Sequence, residues 1–300
     1  MQAVIVLFMT SLVTFFLVNV APGDPVISML QKRADQATID RVRHELGLDK
    51  PLVTQYTDFL LRAVRFDFGR SYSHKIPVAE MISKAFPVTL RLGLFSLIFA
   101  AVFGISVGTI SAVFRGKIID KIIMILAIFQ ISAPTFWFAM ILQIVFGLQL
   151  KWLPVSGMSG MWMVLPVTVL GLRYGAVSAR LIRTNMLDAL SQDYVRTARE
   201  KGVTEFLVVM KHVFKNASIP ILTLFGNQLR SMLSGAIVVE RVFGIQGLGK
   251  VAIDGVMSRD INTIQGTVLY SAFLFVIINL IVDLTYGLLD PRIRITSGAK

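Results

Sequence analysis

From Leu92 to Phe114 the chain runs without a single Asp, Glu, Lys or Arg. A helix of that length rises about 30 Å, enough to cross the hydrocarbon core of a bilayer. Inside lipid no water satisfies the backbone, so such a run is read as a helix, which satisfies its own. Uncharged runs also cover Ala3 to Val20 and Ile122 to Leu150, and mostly apolar runs with one or two charges cover about Met161 to Leu181, about Ile219 to Val239 and about Ile264 to Leu289. The expectation is an all-α polytopic membrane protein with six transmembrane helices.

Composition agrees. The 300 residues are 55% hydrophobic and 16% charged, where soluble domains are about 25% charged. The net charge of +12 would suggest nucleic acid in a soluble protein, but here the bias of cytoplasmic loops toward Lys and Arg explains it. There is no cysteine, so disulfides, thiolate nucleophiles and Cys-based metal sites are excluded.

Ala3 to Val20 lacks a basic n-region and an A-x-A cleavage signal, and is read as a retained helix. Residues 21–89 are too charged for lipid. Pro22 to Pro25 reads as a turn, Thr38 to Leu46 as a helix with Gly47 as its C-cap, and Pro51 to Phe66 as a second amphipathic helix stopped by Asp67-Phe68-Gly69. This is a helical extracytoplasmic insertion between spans one and two. The expected layout is therefore 1–20 first span, 21–89 insertion, and 90–300 a five-helix core. Within the second span Gly104 and Gly108 have a spacing that permits close helix approach. Pro134 lies inside the third span and is expected to kink it. The short 115–121 loop has three basic residues and one acid, residues 180–215 carry seven basic residues against four acids, and the tail adds Arg292, Arg294 and Lys300. These loops, and with them both termini, are assigned to the cytoplasm.

The most unusual stretch in this oily chain is Asp193 to Pro220. It reads as two short helices hinged at Gly202, within a cytoplasmic loop 183–217. Charges also fall where burial is costly: Arg173 in span four, Arg230 in span five with Asn227 beside it, Asp283 in span six, and Glu240 with Arg241 at the end of span five. They form ion pairs (Asp283 with one of the arginines), contact a neighbouring subunit, or line a translocation path that attracts an anionic group. Gly244 to Val251 nearly matches a phosphate-binding loop, but Val251 has no hydroxyl for Mg²⁺ and a membrane span, not a strand, precedes it. It is read as a tight external turn. His44 and His74 are read as surface residues, and Met158, Met161 and Met163 as core or interfacial filler. No catalytic cluster and no metal site is expected.

The stretch Asp193-Tyr194-Val195-Arg196-Thr197-Ala198, followed by Gly202, His212, Asn216 and Pro220, resembles the EAA loop of ABC-importer permeases of the dipeptide/oligopeptide/nickel family. Arg196-Thr197-Ala198 occupies the EAA triplet, without its Glu, as is usual for this branch. Supporting motifs span nearly the whole chain: Leu46-Gly-Leu-Asp-Lys-Pro51 with Gln55-Tyr56, Phe68-Gly69-Arg70-Ser71, Leu153-Pro154, Val239-Glu240-Arg241-Val242-Phe243 with Gly247-Leu248-Gly249, and Leu289-Asp290-Pro291-Arg292. Together they look like the first of the two permease subunits. The chain departs from the family in beginning Met-Gln-Ala, without basic residues before span one, and in carrying Arg230 within span five.

The resemblance implies a permease in a bacterial or archaeal cytoplasmic membrane. Its partners would be a second similar permease, two cytoplasmic ATPases holding ATP and Mg²⁺, and an extracytoplasmic solute-binding protein. No cofactor is expected in this chain, and no nucleic acid. A helix around Ala198 to Phe206 would couple to an ATPase, with Tyr194, Val195, Arg196, Thr197, Ala198, Glu200, Gly202, Val203, Phe206, His212 and Asn216 as the coupling residues. Arg173, Asn227, Arg230 and Glu240 would line the path. Gly244, Gln246, Gly247, Gly249, Arg259 and Asp260 would face the binding protein. The cargo would be dipeptides or oligopeptides, or else nickel or a metal chelate. A secondary transporter or channel is the competing class; it would be expected to show an inverted repeat, and none is seen.

Overall fold

A computed structural model describes residues 2–20, 26–27, 35–45, 47–156 and 161–289. Among the described residues there is no strand, only an isolated bridge between Arg70 and Pro77. Pro22 to Pro25, Leu46, Met158 and Asp290 to Arg292 lie outside them, as do the side chains of Asn216 and Asp283.

The chain forms two compact units. The first comprises residues 1–89 and 246–281, the second residues 90–245 and 282–300. In the first unit, α1 (Gln2–Val20) packs against α3 (Leu52–Ala63), and α2 (Gln36–Glu45) lies between them in the chain. Tyr56 on α3 faces α1: its hydroxyl is 2.9 Å from Ser11 Oγ and its ring lies 5.2 Å from that of Phe15. Gln55 turns the other way. Its amide donates to the carbonyls of Leu48 and Lys50 at 3.2 and 2.8 Å, closing the turn that begins at Gly47. The Gln-Tyr pair thus holds both sides of this corner.

α4 (Val78–Val113) starts at Val78, well before the expected Leu92. Its early turns carry Glu80, Lys84 and Arg91, which hydropathy assigned to the insertion. Phe68, Val78, Ile82, Ala85, Leu248 and Val251 form the apolar core of the first unit. They bring the start of α4 against α11 (Leu248–Ser258), and the backbone N–H of Leu248 donates to Thr89 Oγ1 at 2.8 Å.

In the second unit, α4 lies against α7 (Val164–Leu190). A Cβ built on Gly104 would sit 2.5 Å from the Ser178 side chain, and one on Gly108 would sit 2.7 Å from the Ala179 carbonyl. Glycine at both positions is what lets the two backbones approach. α5 (Ile118–Ser132) also packs on α7. The kink expected at Pro134 is a full break. Ala133 and Pro134 are extended, and α6 (Thr135–Leu142) departs at 108° to α5 before continuing as a π-helical segment, Gln143–Gln149. Pro134 disfavours helical geometry at Ala133 and suits the start of the next helix.

α7 runs past the expected end of span four as far as Leu190, so the first residues of the 183–217 loop are still helical. After the charged stretch come α9 (Phe214–Gly235), α10 (Ile237–Phe243), α11 and α12 (Ile261–Leu289). Among the described residues three helices, Val78–Val113, Val164–Leu190 and the Ile261–Val282 part of α12, are long and apolar enough to cross a membrane, and the bent α5–α6 pair would make a fourth. α1 is apolar but shorter. α9 has the length, but Asn227, Gln228 and Arg230 dilute its apolar character.

Candidate coupling surface

The charged stretch folds onto the end of α7. After Leu190, Ser191 and Gln192 lead into α8 (Asp193–Glu200). Along α8, Val195 and Ala198 are buried, while Tyr194, Arg196, Thr197 and Glu200 face outward. The three-residue spacing puts both apolar side chains on one helix face. The chain then turns at Gly202, whose φ of +77° lies in the left-handed region that suits glycine. One helical turn, Glu205–Leu207, follows and passes into a π-helical segment, Val208–Val213. The helix expected around Ala198 to Phe206 is therefore two pieces on either side of Gly202. The glycine closes α8, since its N–H donates to the Arg199 carbonyl at 2.9 Å.

Val195, Ala198, Val208, Val209 and Val213 form one core with Ile182, Met186 and Ala189 of α7, Ala112 of α4 and Ile221 of α9. Val203 packs at its edge. The two limbs are also clamped from outside: Arg199 donates through Nε and Nη2 to the two carboxylate oxygens of Glu205 at 3.0 and 2.6 Å, spanning the Gly202 turn. This fork holds the Glu205 carboxyl below the usual glutamate range, against the opposing effect of burial. Arg196 and Glu200 pair one turn apart at 3.3 Å. Beyond the clamp, Phe206 is 73% exposed, and Leu207 and Met210 are exposed beside it. The segment is thus anchored through valines and presents an apolar knob with a charged rim. His212 is half-buried.

The residues expected to line a path do not form one cluster. Arg173 on α7 and Arg230 on α9 are half-buried, Asn227 is exposed, and Glu240 on α10 is fully buried. What ties α7 to α9 is Gln228, which donates to the Tyr174 carbonyl at 3.0 Å and to Ser178 Oγ at 2.9 Å. Gln228 was not singled out in the sequence, because a neutral amide in an apolar run carries no charge signal. α10 packs on α6, where the Gln143 amide donates to the carbonyls of Val155 and Val242 at 2.8 and 3.2 Å.

The residues expected to face a binding protein divide. Gly244 caps α10 in the second unit with φ +64°. In the first unit Gln246 and Arg259 are exposed, whereas Gly247, Gly249 and Asp260 are buried. Gly247 and Arg259 flank the 11 residues of α11, about 18 Å apart by helix rise. Asp260 is committed internally. It accepts from Ser71 Oγ at 2.5 Å, the Ser73 N–H at 3.3 Å and the Thr263 N–H at 3.2 Å. Burial, with the Asp260 charge adding to it, pushes the Tyr72 phenol up to about 12. These bonds account for Ser71 in the Phe-Gly-Arg-Ser motif, and the Arg70 carbonyl accepts from Asn262 at 2.9 Å.

The Gly244–Val251 stretch does not follow a strand. It joins α10 to α11, and Lys250 pairs with Asp254 at 2.6 Å. His44 is exposed and 2.6 Å from Asp49; Met161 is exposed and Met163 half-buried. Among the described residues no three His, Cys, Asp or Glu side chains are grouped as metal ligands.

Comparison with known proteins agrees with this architecture. Residues 104–295 match the family described as the binding-protein-dependent transport system inner membrane component, and residues 1–93 match the N-terminal part of the same kind of membrane component. The glutathione transport system permease protein of Escherichia coli K12 is 42% identical over 290 residues, covering 96% of this chain and 94% of the relative. A peptide transport system permease protein of Brucella abortus strain 2308 is 37% identical over 302 residues, covering 98% and 96%. The inward-facing MetNI methionine ABC transporter shares the fold at a TM-score of 0.59 with 16% identity, over 70% of this chain and 96% of that one. An amino acid ABC transporter crystallised with histidines does so at 0.56 with 19% identity, over 69% and 94%. The chain belongs to the binding-protein-dependent inner membrane components, the permease family of ABC importers.

Proposed function

We propose that this chain is the peptide-importing permease subunit of an ABC importer, and that it converts ATPase motion into alternating access. The observation that carries the proposal is the segment around Gly202: a valine core fixes it to α4, α7 and α9, while Phe206, Leu207 and Met210 stay exposed with a charged rim. An exposed apolar knob on a cytoplasmic loop is the shape a partner groove accepts. Tyr194, Arg196, Thr197 and Glu200 supply the polar rim. Val195, Ala198 and Val203 serve the anchor.

Peptide cargo is supported by the names of the relatives, a peptide and a glutathione permease; nickel is not favoured. Membership of the importer family also removes the secondary transporter and the channel. In the assembly this chain is the first of two permeases, two ATPases bind ATP and Mg²⁺ below it, and a solute-binding protein docks outside. Six helices cross the cytoplasmic membrane, with both termini inside and residues 21–89 outside as an insertion. The exposed Gln246 and the Arg259 guanidinium meet the binding protein, with the buried Gly247 and Gly249 behind them, and Gly244 caps α10. Asp260 supports that surface from beneath. Arg173, Asn227, Arg230 and Glu240 belong to the path.

The test is reconstitution with the partner permease, ATPases and binding protein in proteoliposomes. ATP-dependent uptake of a labelled tripeptide such as glutathione, without uptake of Ni²⁺, is expected. Phe206→Ala, at an exposed position, should leave this chain's stability unchanged and reduce co-purification of the ATPases. Undiminished ATPase recovery with Phe206→Ala would refute the coupling role of the knob.

A further inference from the structure

Four donors converge on the carboxylate of Asp120. Arg183 reaches it with both prongs of its fork, Nε to Oδ1 at 2.7 Å and Nη2 to Oδ2 at 2.8 Å. Ser111 Oγ donates to Oδ1 at 2.5 Å and the Gly116 N–H to Oδ2 at 2.9 Å. Asp120 is 3% exposed. The donors come from the end of α4, the α4–α5 turn and the later part of α7, and Asp120 itself is in the first turn of α5, so one carboxylate ties three helices together.

Two neighbouring features give this tie a direction. First, Arg183 follows Ile182 on α7, and Ile182 with Met186 forms part of the core beneath Val195, Val208 and Val213; Ala112 of that core follows Ser111 on α4. The clamp therefore adjoins the floor on which the coupling segment rests. Second, α5 packs on α7 with few fully buried side chains of its own. Only Asp120 and Ala127 of its residues are buried, while Ile118, Ile122, Ile125, Leu126 and Phe129 are largely exposed. Beyond Ser132, α5 meets the 108° break that leads into α6.

Resting on the permease reading above, we propose that Asp120 and Arg183 are positioning residues that carry the displacement of the coupling segment from α7 into α5, and through the Ala133–Pro134 break into α6. Apolar helix faces can slide over one another at low cost, whereas a buried, two-pronged ion pair with further donors has one geometry. A push on α8 that moves the end of α7 must move the start of α5 with it. The motion of α5 then swings α6 about the break, as one element of a two-state transition.

The experiment uses the full reconstituted importer with Asp120→Asn, Arg183→Lys and Ser111→Ala in turn. Basal ATP hydrolysis, its stimulation by the loaded solute-binding protein, and ATP consumed per tripeptide imported are measured. Asp120→Asn should keep the ATPases bound and basal hydrolysis near wild type, while stimulation falls about tenfold, in the usual range of coupling between sites. Arg183→Lys keeps the charge but loses the fork, and should fall in between. If stimulation and ATP per tripeptide stay at wild-type values, and uptake falls only with the amount of complex recovered, the pair is merely structural and the proposal is overturned. Should Asp120→Asn prevent assembly, wild-type coupling in the two milder variants overturns it equally. Absence of ATP-linked uptake in the wild-type complex would instead refute the permease reading itself.

Discussion

At Gly202 the space a side chain would enter is open, and the backbone is what demands glycine. Its φ is +77° and, among the described residues beyond its two chain neighbours, no atom lies within 4 Å of a built Cβ. Gly202→Ala should therefore cost about 1 kcal/mol in local backbone strain. Gly202→Asn, better tolerated in this region, should cost less, and a β-branched Gly202→Val more. Thermal unfolding of the purified chain checks that order. Any loss of uptake beyond it reports contact with a partner at the turn. The Arg199–Glu205 fork adds a pH dependence of known sign. Glu205 is depressed in the folded chain, so its contribution is complete above the ordinary glutamate value of 4.5 and disappears as pH falls through the depressed one. Both side chains are substantially exposed, so the contribution is at most about 1 kcal/mol. Glu205→Gln should remove that pH-dependent part and leave stability at pH 7 to 8 only slightly lower, as denaturation at several pH values would show.

Among the elements, the valine-anchored coupling segment has the most to lose from its core. Met186 is fully buried beneath it, and Met186→Ala should destabilise by about 2–5 kcal/mol. Limited proteolysis should then cut between 191 and 213 sooner than in wild type, whereas Met210→Ala on the exposed side should not change the cutting. Part of this element was legible in the sequence: Gly202 marked its hinge, whereas Val195 and Ala198, expected only as coupling residues, turn inward and anchor it, which took the fold to show. The clamp was not, since Arg199 and Glu205 meet only because the left-handed turn folds one limb back. Asp120 was equally hidden. In the sequence it is one acid in a basic loop, and its pairing with Arg183 joins positions far apart in the chain. The break at Pro134 was half visible, because a proline announces a lost bond, but whether the helix bends or stops depends on the geometry of Ala133. Pro134→Ala permits a continuous helix there, and pulsed distance measurements between labels on α5 and α6 should then lengthen.

For the whole molecule, hydropathy located the apolar runs but not the limits of the helices. α4 begins in charged sequence and α7 continues through Arg183 and Asp188, because lateral packing and ion pairing favour helix beyond the oily segment. The same effect makes α9 hard to read, since Gln228 is satisfied by α7 and costs less there than its polarity suggests. The sidedness of the six proposed crossings is open to a direct test, because the absence of cysteine makes every introduced thiol unique. Ser73→Cys is in the exposed part of the 69–77 loop, and Arg196→Cys is on the outer face of α8. In intact cells an impermeant maleimide should label Ser73→Cys, and it should reach Arg196→Cys only after the membrane is opened. Labelling of both from outside would place the coupling segment on the wrong side of the bilayer for an ATPase. Protection of Arg196→Cys in opened membranes when the ATPases are present, and its loss when Phe206→Ala is added, would join the topology to the docking surface in one measurement.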